Sequence, residues 1–315
     1  MIAWLVLLQT SLTIAVGGPI TSPEYLPLHV AQAEGHFAAR QLAVTLRPMR
    51  SDAGAAEALA QGHAQLAATS LDSALRLGHV EGAPPRLVWG LTAAAPVALL
   101  VNPARAESIR SAADLVGQTV AVPAPGTAED QTLGLLLARA GVPVSRVTLR
   151  SLGERGAVRA LESGEVAAAV LAEPYVSRLV GDGKAAVAID LRTAAGAAAA
   201  LGGPTVNAAL FARAGTGPEA ATLRAVGAAL QAAVARVTGS EPAALAIMLP
   251  AAIIGSPADF AARLRSARDL FLPGGRVSVE ALEHSLALVR ARAPLPIQVK
   301  VPKRVEQLLA EPTSD

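Results

Sequence analysis

The sequence predicts an α/β protein on parallel sheet with a helical carboxyl-terminal region, and three observations predict it. Short apolar runs alternate with helix-like segments from Leu12 to about Arg213. These runs end in glycine, proline or hydroxyl loops, as at Gly17-Gly18-Pro19, Thr69-Ser70 and Gly126-Thr127. From Pro218 onward only helix-like segments remain, separated by Pro or Gly.

Leu12–Val16 reads as a buried strand, ended by Gly17, Gly18 and Pro19. Pro23 follows Thr21 and Ser22 at a helix start, the helix-like segment runs from Tyr25 to Ala33, and Gly35 closes it. Leu42–Leu46 is the second strand. A short helix over Ala55–Gln61 follows, with Ser51 or Asp52 as its cap. Gln65–Ala68, Leu87–Leu91 and Pro96–Val101 read as strands, and Leu71 to about Leu77 as helix. The second region starts with the helix-like Ser108–Leu115. It continues with strands at Thr119–Val122, Val147–Leu149, Val166–Leu171 and Val187–Leu191, and with helices after Thr127 and over Arg155–Ser163. Thr205–Arg213 is extended and carries the chain back to the first region. Helices are predicted over Pro218–Val237, Glu241–Leu249, Ser256–Phe271 and Ser278–Arg290.

The totals fit one large or two medium domains: 315 residues, 52% of them hydrophobic, with alanine a large part of that share. No cysteine is present, which excludes disulfides, cysteine-ligated zinc, a thiol nucleophile and a lipid-anchored cysteine. The formal charge is +2 and the basic residues are scattered, apart from Lys300, Lys303 and Arg304. A nucleic-acid binder concentrates them in a stripe, so no nucleic-acid partner is expected. Ile2–Leu8 has the length of a short signal core but no basic residue before it and no A-x-A site after it. Two readings of residues 1–11 stay open: a loosely packed amino end, or the remnant of an export signal.

The two halves share a plan. Ala58–Ser70 (ALAQGHAQLAATS) and Ala160–Pro174 (ALESGEVAAAVLAEP) both read helix, glycine turn, small-residue strand, polar loop. With LPLHVAQAEGHFAARQLAVTL, SAADLVGQTVAVPAPGTAEDQTLGLLLARAGV and AVRALESGEVAAAVLAEPYV, these stretches resemble the periplasmic solute-binding proteins of ABC transporters. The resemblance is to the group serving nitrate, alkanesulfonates, taurine and thiamine precursors, and it covers about Leu12 to Leu210. It implies a two-lobed type 2 clamshell with two crossover strands as hinge. Lobe 1 is then residues 12–96 and 207–315, and lobe 2 residues 97–206. It further implies a small solute between the lobes, a membrane permease as partner, a monomer, and a periplasmic or extracytoplasmic location. The chain departs from the pattern at Gln65 and Ala167, where the family usually carries an acidic residue.

Strand ends of such sheets hold ligands, and helix amino ends there offer free N–H groups. Candidate ligand contacts are therefore Thr69, Ser70, Gly126 and Thr127, with ordinary capping as the alternative. Tyr25 and Tyr175, the only tyrosines, fall in expected cleft loops, as wall residues or as packing. Ser51, Glu173 and Asn207 complete the candidates: Ser51 as wall or cap, Glu173 as acceptor for an amine or as a turn cap, Asn207 as donor or hinge brace. Glu129 and Asp130 suit the positive end of their helix. The low aromatic content argues against a flat ring held between two aromatic plates.

No catalytic constellation emerges. His29, His36, His63, His79 and His284 form no metal-binding spacing and are expected at the surface. G-x-G-x-x-G, G-x-x-x-x-G-K-[ST] and G-x-S-x-G are all absent, so no catalytic residue, metal or cofactor is expected. The alternative is an enzyme on the same fold. Of the two kinds that the resemblance brings in, the thiamine-precursor synthases use a cysteine-rich motif that this chain lacks, and menaquinone-pathway enzymes need a histidine or carboxylate in the cleft.

Overall fold

Two five-stranded sheets organise the chain in the computed structural model, which describes residues 9–310. The apolar run Ile2–Leu8 lies outside the described residues. The first lobe opens with β1 (Thr10–Val16), α1 (Leu26–Ala33), β2 (Leu42–Pro48), α2 (Asp52–Ala60), β3 (Leu66–Ser70), α3 (Leu71–Leu77) and β4 (Arg86–Gly90). The second holds β5 (Val97–Val101), β6 (Thr119–Val122), α4 (Ala128–Arg139), β7 (Thr148–Ser151), α5 (Gly153–Glu162), β8 (Ala168–Ala172), α6 (Tyr175–Gly181), β9 (Ala186–Asp190) and α7 (Ala194–Leu201). The chain then returns to the first sheet as β10 (Ala208–Ala212). It ends in α8 (Ala220–Gly239), α9 (Pro242–Ala246), α10 (Ala251–Ile254), α11 (Pro257–Ala267) and α12 (Val279–Arg292).

The strand orders are β2-β1-β3-β10-β4 and β7-β6-β8-β5-β9. Numbered within each lobe they are the same order, with the strand arriving from the other lobe in fourth place. That strand runs antiparallel to both neighbours in each sheet, so the sheets are mixed rather than wholly parallel. The reason is topological: β5 and β10 enter their sheets from the opposite direction. Each carries a register shift at its second partner, after Leu99 in β5 and after Leu210 in β10. The shared order is the physical basis of the doubled plan in the sequence.

Both faces of each sheet are covered, which explains why β3, β5 and β10 are buried along their whole length. In lobe 1 one face packs against α1, α8 and α11, through Leu28, Val30, Leu230 and Phe260; the other packs against α2, α3 and α12, through Leu59, Leu75 and Leu286. A separate cluster joins the lobes behind the cleft, where Leu136 of α4, Leu201 of α7 and Leu288 of α12 meet Leu191 and Leu270. Each such leucine contributes about 1.5–3 kcal/mol.

Several segments differ from expectation. α6 and α7 lie where no helix is predicted: α7 reads AAGAAAAL, with no apolar stripe to mark it. The segment Ser108–Leu115 holds only a 3₁₀ turn, Ala112–Leu115. The helix predicted over Glu241–Leu249 stops at Ala246, and α10 starts after Pro250. His29 is buried on α1, against the surface expected for it, because α1 is covered by α8. Among the described residues, no helix is long and apolar enough to cross a membrane.

Candidate functional site

The carboxyl ends of the parallel strands β1, β2 and β3 in one lobe, and of β6 and β8 in the other, carry the candidate residues apart from Asn207, which precedes β10. α3 and α4 start on opposite lobes and meet there: Gln131 Nε2 donates to Ser73 Oγ at 3.3 Å across the gap. Farther out, Arg178 of α6 pairs with Asp259 of α11, again lobe to lobe. The two ends of the chain's crossing, near Ala93 and Asn207, lie side by side. Asn207 N–H donates to Thr92 O at 2.8 Å, and Asn207 O accepts from Leu71 N–H at 2.7 Å. A cavity of about 30 Å³, room for a water, sits at this inner end among Leu71, Gln131, Thr205 and Asn207. A second cavity, of about 330 Å³, lies beside the same crossing, between α7 and the start of α12.

The hydroxyls are mostly occupied. Ser51 caps α2 by accepting from Gly54 N–H at 3.2 Å, and Ser70 caps α3 by accepting from Ser73 N–H at 3.2 Å. Thr127 donates to Ala124 O at 3.0 Å and accepts from Asp130 N–H at 3.4 Å. Gly126 N–H donates to Asp130 Oδ2 at 2.9 Å. Thr69, fully buried, donates to Asp52 O at 2.8 Å. Glu173 is held inside lobe 2: it accepts from Ser177 Oγ at 2.8 Å and pairs with Arg192 Nη1 at 2.5 Å. Tyr175 is half-buried and donates to Glu154 Oε2 at 3.1 Å. The Asn207 side chain is half-buried and lines the small cavity.

Tyr25 leads to what the sequence did not reveal. Its buried hydroxyl donates to Asp52 Oδ1 at 2.5 Å. The capping role falls to Ser51, which leaves the Asp52 carboxylate free to turn toward Tyr25. Gly17 makes room for it, since a Cβ at that position would lie 2.3 Å from Asp52 Oδ1. Glu24, Asp52 and Glu129 are 6%, 8% and 9% exposed. Burial pushes the Glu24 carboxyl up to about 8; its own backbone N–H opposes the rise, and the Asp52 and Glu129 charges add to it. Burial likewise lifts Asp52 to about 6, against the pull of the Tyr25 hydrogen bond. Glu129 is raised by burial first, with Glu154 and Asp52 adding to it. Glu24 sits in the short turn after β1, and α11 packs against that turn. Among the described residues no group of His, Asp or Glu is close enough to hold a metal.

The chain is similar to known proteins. The family model described as NMT1/THI5 like matches residues 22–195, more than half the chain. The chain belongs to the NMT1/THI5-like family. The match spans the loops that carry Glu24, Asp52 and Glu129. No curated protein sequence matches this NMT1/THI5-like chain. Among solved structures it is similar to a protein of Bordetella bronchiseptica RB50, at 24% identity over 96% of this chain and 94% of that one, with a TM-score of 0.71. It is similar to the alkanesulfonate-binding protein SsuA from Xanthomonas axonopodis pv. citri bound to MOPS, at 20% identity over 96% and 98%, with a TM-score of 0.65. The desulfurization enzyme DszB shares the architecture too, at 15% identity over 95% and 96%, with a TM-score of 0.52. The fold is therefore the two-lobed type 2 periplasmic-binding-protein fold, and function rests on the site.

Proposed function

We propose that this chain is the solute-binding component of an ABC importer. It takes a small solute between its lobes and presents the closed form to a membrane permease, as a periplasmic or extracytoplasmic monomer. One observation carries the reading. Two lobes of the same strand order, joined through the paired segments leading to β5 and to β10, oppose their strand-end loops across a gap already bridged by Gln131 and Ser73. Such a pair of lobes closes on a ligand by hinge motion. The SsuA likeness supports the same role, since that protein is an alkanesulfonate binder.

Asn207 is the best supported of the predicted contacts, because it lines the cavity at the inner end of the gap, while the hydroxyls of Tyr25 and Tyr175 are given to Asp52 and Glu154. Ser51, Thr69, Ser70, Gly126, Thr127 and Glu173 act mainly by shaping the loops, since their polar groups already have protein partners. The solute classes suggested by the family's members are alkanesulfonates, nitrate and thiamine precursors. An enzyme on this fold, as DszB is, needs a nucleophile or an acid–base pair beside a reacting atom. A cysteine-free chain cannot supply a thiol.

A thermal-shift screen tests the proposal. A solute held only by the folded state raises stability by RT ln(1 + [L]/Kd), about 2.7 kcal/mol at a hundredfold excess over Kd. The expected result is a raised melting temperature with one solute class, and recovery of that solute chemically unchanged. Conversion of the solute to product overturns the proposal.

A further inference from the structure

We infer that the solute carries a positively charged nitrogen head, an ammonium or guanidinium, and that Glu24, Asp52 and Glu129 receive it. This rests on the solute-capture reading above. The first ground is a contrast among buried acids. Asp72 pairs with Arg76 at 3.0 Å and with Arg292 at 2.8 Å, and Glu173 pairs with Arg192. Glu24, Asp52 and Glu129 are as deeply buried, and no Lys or Arg stands within ion-pair distance of them among the described residues. A buried carboxyl without a counter-charge is pushed toward its neutral form, and a cationic ligand that lets it ionise supplies the missing partner.

The second ground is direction. Glu24 follows β1, Asp52 follows β2 and Glu129 follows β6, so the three come from strand ends of both lobes. Glu24 is nine-tenths buried, and its carboxyl has no hydrogen-bond partner from another residue among the described ones. It lies within electrostatic reach of Asp52 on its own lobe and Glu129 on the other. α11 packs against the turn that bears Glu24, but the guanidinium of its Arg263 is turned to the Ile254 carbonyl at 2.7 Å.

The third ground is which groups are left over. Donors that an oxyanion needs are taken: Gly126 N–H by Asp130, Asp130 N–H by Thr127, Ser73 N–H by Ser70, and the Tyr25 hydroxyl by Asp52. Burial lifts the Glu24 and Asp52 carboxyls, so a cation lets them ionise where an oxyanion requires them to stay protonated. The carboxyls are too dispersed for one metal ion, which suits a branched organic cation.

The experiment uses the full chain, unfolded and refolded to strip any carried solute. Agmatine, putrescine, choline and methylguanidine are tested against ethanesulfonate, nitrate, a neutral pyrimidine, Ca²⁺ and Zn²⁺ by thermal shift and calorimetry. At least one organic cation is expected to raise the melting temperature. Its binding releases a proton from Glu24, so the measured enthalpy varies with the buffer's ionisation enthalpy. E24Q with E129Q is expected to raise the melting temperature of the free protein and weaken the cation at least roughly thirtyfold. No shift with any organic cation overturns the inference, as does an unweakened cation in the double variant or a shift given only by a metal ion. A shift with ethanesulfonate, nitrate or the pyrimidine alone overturns it too, while leaving solute capture standing.

Discussion

The Tyr25 hydroxyl donates to Asp52 Oδ1 at 2.5 Å, and both groups are buried at the strand ends of lobe 1. This bond holds the Asp52 carboxyl down against burial. Tyr25→Phe therefore strands a carboxyl that burial alone lifts further. A hydrogen bond to an ionised group is worth about 1.5–3 kcal/mol, and that loss is expected in urea unfolding at neutral pH. Lowering the pH below about 6, where Asp52 takes up its proton, shrinks the difference. An equal loss at all pH values refutes the assignment.

Stability of the solute-free protein is expected to fall as pH rises from 6.5 to 8. Glu24 moves from 4.5 in the unfolded chain to about 8 when folded, so the folded state holds the extra proton between those values and loses stability through that window. Asp52 acts the same way between 3.8 and about 6. His29 acts oppositely: burial lowers it from 6.5 to about 4, so its contribution appears as pH rises through that range and is complete above it. Glu24 dominates the span from 6.5 to 8, with Tyr25, Asp52 and Glu129 as the charged or titratable groups facing it, and Glu129, itself raised by burial, acts in the same direction. The fall is up to about 2 kcal/mol over that span, by one proton's linkage. Urea titrations at several pH values measure it, and Glu24→Gln is expected to flatten the slope.

The contrast between Glu24 and its neighbourhood explains what the sequence could and could not convey. Strands such as Leu12–Val16 and Thr119–Val122 are legible because an apolar run ends in Gly or Pro, and burial on both faces keeps that run unbroken. The doubled strand order follows from matching helix, turn and strand segments in the two halves. α7 was hidden because alanine on every side leaves no period to read. The site was hidden for another reason. Ser51 and Asp52 are both good caps in sequence, and Glu129 and Asp130 both suit a helix start. Only the fold decides that Ser51 and Asp130 serve the backbone while Asp52 and Glu129 turn inward.

Ser70→Ala and Thr127→Ala are expected to cost about 1 kcal/mol each, through the amino ends of α3 and α4. The two sites lie on different lobes, and independent caps add. Chemical unfolding of the single and double variants measures this. The solute's affinity is expected to hold within a few-fold, since both hydroxyls are spent on their own helices. A large affinity loss with unchanged stability returns them to the ligand shell.

Gly17→Ala tests the space made for Asp52. The added methyl falls 2.3 Å from Asp52 Oδ1, 3.0 Å from the Asp52 Cα and 3.2 Å from the Ala68 carbonyl oxygen. Side chain and backbone must both move, which costs about 1–3 kcal/mol. The Tyr25–Asp52 bond is displaced as well. Gly17→Ala with Tyr25→Phe is therefore expected to cost less than the sum of the two, and a double-mutant cycle reads the coupling. Strict additivity separates Gly17 from the site.

Glu173 shows how a sequence-level ligand candidate becomes a structural acid. Its carboxylate accepts from Ser177 N–H at 3.1 Å and from Ser177 Oγ at 2.8 Å, and Arg192 completes the set at 2.5 Å. Arg192 in turn grips Asp190 Oδ2 at 2.7 Å, which ties α6 to the end of β9. Removing one member of a buried pair leaves the other without its counter-charge, a loss of about 3–5 kcal/mol. Arg192 keeps Asp190 and is one-fifth exposed (20%), so Glu173→Gln is expected near the lower end of that range, with solute affinity unchanged. Denaturant unfolding beside calorimetric titration makes the check. Full stability with lost affinity would place Glu173 on the ligand.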